Sequence, residues 1–462
     1  ALQRVVVGWP VSGLVSPRDG PAHADQLPCR IHEIKPPSAL HNKALGRYTC
    51  EVQIDRITFT CDRSRRGRRI PARIEENNTM ASIEEPVTVG LLYSQTGETA
   101  VIEVAQRQGA LLAVSELNAE GGLLGQPVTV LDSNPMSVPS RFRDSAERLL
   151  SQGADALFGC YMSSTRKAVL PVIDRRRALL FYPTVYEGFE YLEGCVYSGA
   201  APNQNARMLA DFLCEAYEPR FFFVGSNYVF PYESNRIMRD LFANRGASVV
   251  DEIYIPLIPS KEDIAEAIEK IRKAGPVVVF STVVGQGAVD FYRAYDAAGF
   301  DRSVQPIASL TFGEPECLAA GVDACVGNIK AAPYFSVVRS PANQRFVTAY
   351  RSKFGAEQPV SAEVEAAYFQ VKMYGEAVKR AGTTDRAAIL KILPTFTFEA
   401  PQGTVRIDPV THHTYLWPRI GIVGADGAFE IVRQTSEPEP PEPYLVEHDD
   451  PASLARVEEG WD

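Results

Sequence analysis

The segment Ala156-Leu157-Phe158-Gly159-Cys160-Tyr161-Met162-Ser163-Ser164-Thr165-Arg166-Lys167 leads through a helical stretch, 164–174, to Leu179-Leu180-Phe181-Tyr182. Its two short apolar runs lack the in–out alternation of a half-exposed strand. Each therefore reads as a strand covered on both faces. Strand, helix and strand again is the repeating unit of a parallel sheet with helices packed on both sides.

The same unit extends in both directions. Upstream, 87–92 is an apolar, β-rich run followed by a polar loop at 94–98. A helix over 102–118 then carries Ala110, Leu111, Val114 and Leu117 as its apolar stripe, and Gly121-Gly122 ends it. A strand at 128–131 and a helix at 142–152 complete that series. Downstream, a second series pairs helices at 205–217, 233–245, 264–274 and 286–298 with strands at 220–225, 248–255, 277–281 and 306–310. Helices at 341–354 and 362–381 follow, then short strands near 403–407, 420–423 and 429–432. The fold class is thus α/β, with two doubly wound parallel-sheet lobes. The expected lobes are 86–199 plus 333–398 and 200–332 plus 399–434, joined by a three-crossing hinge near 199–201, 331–333 and 398–401. Residues 435–462, rich in Pro and Glu, read as an extended tail lying on a surface or a partner.

Before residue 80 the pattern stops. Residues 1–79 are broken by Pro10, Pro17, Pro21, Pro28, Pro36, Pro37 and Pro71 and contain the cluster Arg63-Ser64-Arg65-Arg66-Gly67-Arg68-Arg69. Arg4, the apolar 5–15 and Ala22-His23-Ala24 faintly mimic a secretory signal, but Gly8, Pro10 and Gly13 interrupt its core. A nucleic-acid arm on the arginine cluster is the other functional reading. The reading that fits better is a leader outside the fold, disordered or not part of the native protein, with Met80 opening the ordered chain. Nothing after Met80 resembles a signal peptide, so the expected compartment is the cytoplasm, with the periplasm as alternative.

Charge narrows the partners. Residues 1–79 hold 13 Lys+Arg against 8 Asp+Glu, while the whole chain carries a net −10, so the acidity lies in the body. An acidic body argues against direct nucleic-acid binding. No apolar run of about 18 residues occurs, so no membrane insertion is expected. Of eight cysteines, the five beyond residue 79 are irregularly spaced and read as buried reduced thiols.

Catalytic signatures are missing. The sequence has no GxSxG elbow, P-loop, HExxH or complete GxGxxG, and without a CxxC pair a zinc or redox site has no support. His412 and His413 are adjacent, so on a strand they face opposite ways and cannot share an ion. Gly285-Gln286-Gly287 reads as a tight strand-to-helix turn. Ser164 and Lys167 superficially match SxxK, yet Ser and Thr at 163–165 are better explained as helix caps. Arg166 is better explained by surface or structural pairing than by an anion. Cys160 has no histidine to ionise it. Neither an enzyme nor a metal or cofactor is expected.

Ligands of doubly wound lobes bind at the carboxyl ends of the strands. Here those ends are uncharged and rich in hydroxyls and rings: Tyr161-Met162-Ser163, Tyr182-Pro183-Thr184-Val185, Tyr228-Val229-Phe230, Ser281-Thr282 and Thr311. Aromatic walls with a few donors and acceptors suit a small neutral polar ligand. Any one of these tyrosines reads equally well as a core residue with its hydroxyl satisfied.

Residues 86–434 resemble the type I periplasmic-binding-protein family, in its urea and short-chain amide branch. The blocks that carry this are Gly159-Cys160-Tyr161-Met162-Ser163, Tyr182-Pro183-Thr184, Tyr186-Glu187-Gly188-Phe189-Glu190, Ala201-Pro202-Asn203-Gln204-Asn205 and Ala400-Pro401-Gln402-Gly403. Their wording is most similar to the cytoplasmic amide sensors of aliphatic amidase operons. The resemblance implies that Ser163, Tyr182 and Thr184 hydrogen-bond an amide, with Tyr161, Tyr228 and Thr311 around its alkyl end; Pro183, Val185, Phe230 and Thr282 complete the expected pocket. Two positions depart from the pattern. Phe230 stands where a tyrosine is usual, and Val185 where the sensors carry proline. The implied partner is an RNA-binding antitermination regulator. The alternative is the substrate-binding component of a urea or amide ABC transporter, docking on a permease. Self-association into a homo-oligomer stays open.

Overall fold

The first sheet is centred on strands with both faces buried. In the computed structural model, which describes residues 86–445, the chain runs β1 (Thr88–Leu92), α1 (Ala100–Ala119), β2 (Thr129–Ser133), α2 (Pro139–Ser151), β3 (Ala156–Gly159), α3 (Ser163–Arg176), β4 (Leu180–Tyr182) and β5 (Cys195–Tyr197). These strands are all parallel, in the order β2-β1-β3-β4-β5. Successive side chains point to opposite faces. Val89, Phe158 and Phe181 therefore enter one core with Ala110 and Ala113 of α1. Leu157 and Leu180 enter the other with Phe142 and Leu149 of α2 and Val169 of α3. That two-sided burial explains the unbroken apolar runs.

The second sheet repeats the plan. It uses α4 (Ala206–Ala216), β6 (Arg220–Ser226), α5 (Val229–Asn244), β7 (Ser248–Ile255), α6 (Lys261–Ala274), β8 (Val278–Thr282), α7 (Gly285–Ala297), β9 (Ile307–Ser309), α8 (Glu314–Ala320) and β10 (Ile329–Ala332). The chain continues through α9 (Pro341–Phe354), α10 (Ala362–Ala381), α11 (Arg386–Ile392), β11 (Thr397–Ala400), β12 (Gly403–Ile407), β13 (Thr414–Tyr415), β14 (Arg419–Val423) and β15 (Phe429–Gln434). The seven-stranded order is β15-β14-β10-β9-β8-β6-β7, with β14 and β15 antiparallel. Phe221 and Phe223 of β6 face α4 and α5, whereas Phe222 and Val224 face α6 and α7. Helix ends match their charges: Ser260 and Asp263 form a capping box on α6, and α10 runs from Glu363 and Glu365 to Lys379 and Arg380.

Two boundaries differ from the sequence expectation. Strands β11–β13 form a separate three-stranded sheet, and Ala400, Val405, Ile407 and Leu416 pack into the first lobe's core. The third crossing therefore falls between Leu416 and Arg419 rather than near 398–401. The second difference is α9, which was expected wholly in the first lobe. Its Phe346 and Tyr350 join a cluster containing Phe222 and Val279 of the second sheet and Ala105 and Leu112 of α1.

The lobes are closed on each other. The Gln286 amide donates to the Glu98 carbonyl at 2.9 Å. Ile102, Tyr161 and Met162 from one side meet Val284 from the other, with Tyr228 packed against them. Gly285, at φ 63°, makes this approach feasible, since a Cβ there would stand 2.2 Å from the Glu98 oxygen. Of the tail, 439–443 lies along the hinge. Glu439 bridges Leu416, Asn203 binds the Pro440 carbonyl and the Glu442 amide at 2.8 Å each, and the Phe189 amide donates to the Pro443 carbonyl. The leader 1–79 and tail residues 446–462 lie outside the described residues. Among the described residues no helix is long and apolar enough to cross a membrane.

Candidate ligand cleft

The cleft begins where β3 ends. Gly159 has φ 143° and Cys160 φ 69°, an arrangement that turns the chain sharply and delivers Tyr161, Met162 and Ser163 to the lobe interface. Left-handed backbone at a non-glycine residue is uncommon and concentrates at functional sites. Gly159 cannot be replaced cheaply, because a Cβ would lie 2.2 Å from the Leu92 carbonyl oxygen. Gly159→Ala is expected to lower stability by at least about 2 kcal/mol and to weaken ligand binding in parallel, measured by urea unfolding and titration calorimetry.

The expected capping by Ser163–Thr165 is not what the structure has. Met162 is the N-cap of α3, with no side-chain cap bond. The Ser163 hydroxyl instead donates to Glu187, and the Thr165 hydroxyl to the Met162 carbonyl. The reason is register: Ser163 is the first helical residue rather than the N-cap, and its hydroxyl donates to the Glu187 carboxylate while accepting from Arg166.

Three residues expected to bind an amide already have protein partners. Ser163 serves Glu187, the Tyr182 hydroxyl donates to the Tyr161 carbonyl at 2.8 Å, and Thr184 donates to the Cys160 carbonyl at 3.3 Å. Thr282 donates to Asn235 at 3.0 Å, and the Thr311 amide bonds Ser309. Tyr161, Tyr228 and Phe230 are brought together: Tyr228 packs beside Tyr161, and its ring lies 6.4 Å from that of Phe230. Pro183 and Val185 point elsewhere, into a cavity of about 20 Å³ at the hinge shared with Leu310, Glu363 and Ala366. A larger hollow of about 890 Å³ runs along β15 and 337–340 and holds none of the expected site residues.

Gln106 is a residue the sequence reading missed. It is fully buried, donates to Thr184 at 3.1 Å, and leaves its Oε1 without a partner among the described residues. The Tyr161 hydroxyl is likewise unpartnered. The available signal was position: Gln106 lies one turn after Ile102 and one turn before Ala110, so it interrupts the apolar stripe of α1.

Charge beside the cleft is matched or suppressed. Arg166 is completely buried, 3.2 Å from Glu187 and 2.7 Å from Glu190, and its guanidinium lies 4.6 and 4.7 Å from the rings of Tyr182 and Tyr186. On the other side, Lys330 is buried 3.0 Å from Glu363. Burial raises the neighbouring carboxyls of Glu314 and Glu316 to about 7 and about 8. Burial, and after it the charge of Glu316, pushes the Tyr161 hydroxyl up, which associates this acidic group with the candidate cleft. Burial also pushes up the Cys160 thiol, opposite to what a nucleophile needs. His413 stacks 4.1 Å from Tyr197 and bonds the Tyr186 hydroxyl, while His412 turns to the Glu193 carbonyl.

Two doubly wound lobes closing over strand-end side chains define a solute-binding protein. The chain belongs to the periplasmic binding protein family: the periplasmic binding protein domain matches residues 87–450. It is a binding protein rather than an enzyme. The leucine-, isoleucine-, valine-, threonine- and alanine-binding protein of Pseudomonas aeruginosa is 21% identical over 330 residues, covering 70% of this chain and 86% of that protein. A stretch of 120 residues is 31% identical to limonene hydroxylase of Geobacillus stearothermophilus, covering 26% of this chain and only 22% of that protein. Among solved structures, a solute-binding protein of an ABC transporter from Rhodopseudomonas palustris BisB5, in complex with 3,4-dihydroxybenzoic acid, matches with a TM-score of 0.69 at 19% identity. That match covers 77% of this chain and 98% of the other.

Proposed function

We propose that this chain captures a small uncharged amide or urea-like solute in its cleft and presents the closed form to a protein partner. The observation that carries this reading is the state of the two buried cations beside the cleft, Arg166 and Lys330. Arg166 is spent on Glu187 and Glu190, and Lys330 on Glu363, so neither is available for a ligand carboxylate. A buried carboxylate without a cation is costly. Tyr161 and Gln106, by contrast, offer neutral polar atoms without partners. This supports a neutral ligand over the amino acids and the aromatic acid named for similar proteins. Ligand binding acts by favouring the closed population of the lobes.

Family membership and the transporter protein among the similar structures support the permease of an ABC transporter as partner, acting in the periplasm. A cytoplasmic sensor that regulates amidase expression through an antitermination regulator is the second reading, supported by the motif blocks around Tyr161 and Tyr182. Calorimetry with acetamide, butyramide and urea tests the ligand class. Saturable binding of at least one is expected, with none for leucine or 3,4-dihydroxybenzoate. Binding of those acids alone sinks the reading. Compartment fractionation then separates the two partners.

A further inference from the structure

Two polar atoms at the cleft edge of the first lobe stand out because their neighbours are paired. The Tyr161 hydroxyl and the Gln106 Oε1 have no partner among the described residues, and their side chains are 2% and 0% exposed. Buried polar atoms normally find partners. Ser163, Tyr182 and Thr184, at the same strand ends, all have theirs.

The orientation of Gln106 follows from its neighbour. Thr184 has one hydroxyl hydrogen and gives it to the Cys160 carbonyl, so it can only accept from Gln106. That fixes the Gln106 Nε2 on Thr184 and leaves the free end as an acceptor. The two residues are also linked through the fold. Ile102, one turn before Gln106 on α1, packs against Tyr161, and Thr184 ties Gln106 to the residue preceding Tyr161.

We propose that the cleft ligand completes both atoms, and that Gln106 is a specificity-determining residue that accepts an N–H of the ligand while Tyr161 donates to its carbonyl. This rests on reading the cleft as an amide site. A primary amide or urea supplies both complements. A ketone lacks the N–H, and a carboxylate offers only acceptors, which face the Gln106 oxygen unfavourably.

Acetamide and acetone test this directly, since they differ by an NH2 in place of a methyl. Calorimetry on the full chain is expected to give a preference for acetamide of about tenfold or more. Gln106→Met should bring that preference close to one, with the urea midpoint reporting that the variant is folded; Gln106→Leu serves if it is not. Tyr161→Phe should weaken both ligands by a similar factor and leave the preference intact. A folded Gln106→Met protein that keeps the native preference overturns the role of Gln106 and leaves the amide reading standing. A native chain that binds neither compound overturns both.

Discussion

Arg166→Met is expected to cost about 3–5 kcal/mol of folding free energy, because it leaves buried carboxylates without their cation. The guanidinium is wholly inaccessible and is shared by Glu187 and Glu190 at 3.2 and 2.7 Å. Glu187 is itself buried, and among the described residues the other cation within reach, Lys167, is 42% exposed. The consequences reach the cleft. The same guanidinium donates to Ser163 at 3.2 Å and lies over the ring of Tyr182, whose hydroxyl holds the Tyr161 carbonyl. Ligand affinity should therefore fall along with the urea midpoint. Arg166→Lys should not restore stability, since a single ammonium cannot serve two carboxylates and two ring faces. Adding Glu187→Gln to Arg166→Met should recover part of the loss, because the uncompensated charge is its main source. A variant within about 1 kcal/mol of the native chain would refute this account.

Much of the fold was legible because its signals are local. Helices at 341–354 and 362–381 coincide with α9 and α10, and the strand at 156–159 with β3. What escaped depends on distant partners. β10 is central to the second sheet, yet its Ile329-Lys330-Ala331-Ala332 carries a lysine that is tolerable only because Glu363 neutralises it. α8 spans seven residues with Pro315 inside its first turn, too short to display a period. β5, with three residues, is defined by pairing with β4, and the third crossing by where Val405 and Ile407 are buried. Of the candidate cleft, the strand-end grouping of Tyr161, Tyr228 and Phe230 was legible. Which hydroxyls were already taken was not, since Glu187 reaches Ser163 only once the β4 loop has folded back.

Stability should fall as the solution is taken from pH 5 to pH 8, opposite to the usual behaviour of salt-bridged carboxylates. Burial raises four fully buried carboxyls from 4.5: Glu103 and Glu314 to about 7, and Glu316 and Glu365 to about 8. Hydrogen bonds from Ser94 and Thr99 to Glu103, and from Gln402 to Glu365, oppose the rise without cancelling it. Each acid binds its proton more tightly folded than unfolded. Its contribution is complete below pH 4.5 and lost as pH rises through the folded value. Two groups oppose this trend. Burial lowers His412, and takes His413 from 6.5 to about 4, so both favour folding less as pH drops below 6.5. Four acids outweigh two histidines between pH 4.5 and 6.5, and above 6.5 the histidines exert no pull. Each tenfold gain in proton affinity on folding corresponds to about 1.4 kcal/mol, so the loss between pH 5 and pH 8 should be on the order of several kcal/mol. Urea unfolding at pH 5.5, 7 and 8.5 measures it, and Glu316→Gln should flatten the profile by removing one of the most strongly raised acids. A midpoint that stays level or rises from pH 6.5 to 8.5 would mean that these carboxyls are ionised in the folded chain, and that the acidic group associated with the candidate cleft carries negative charge at neutral pH.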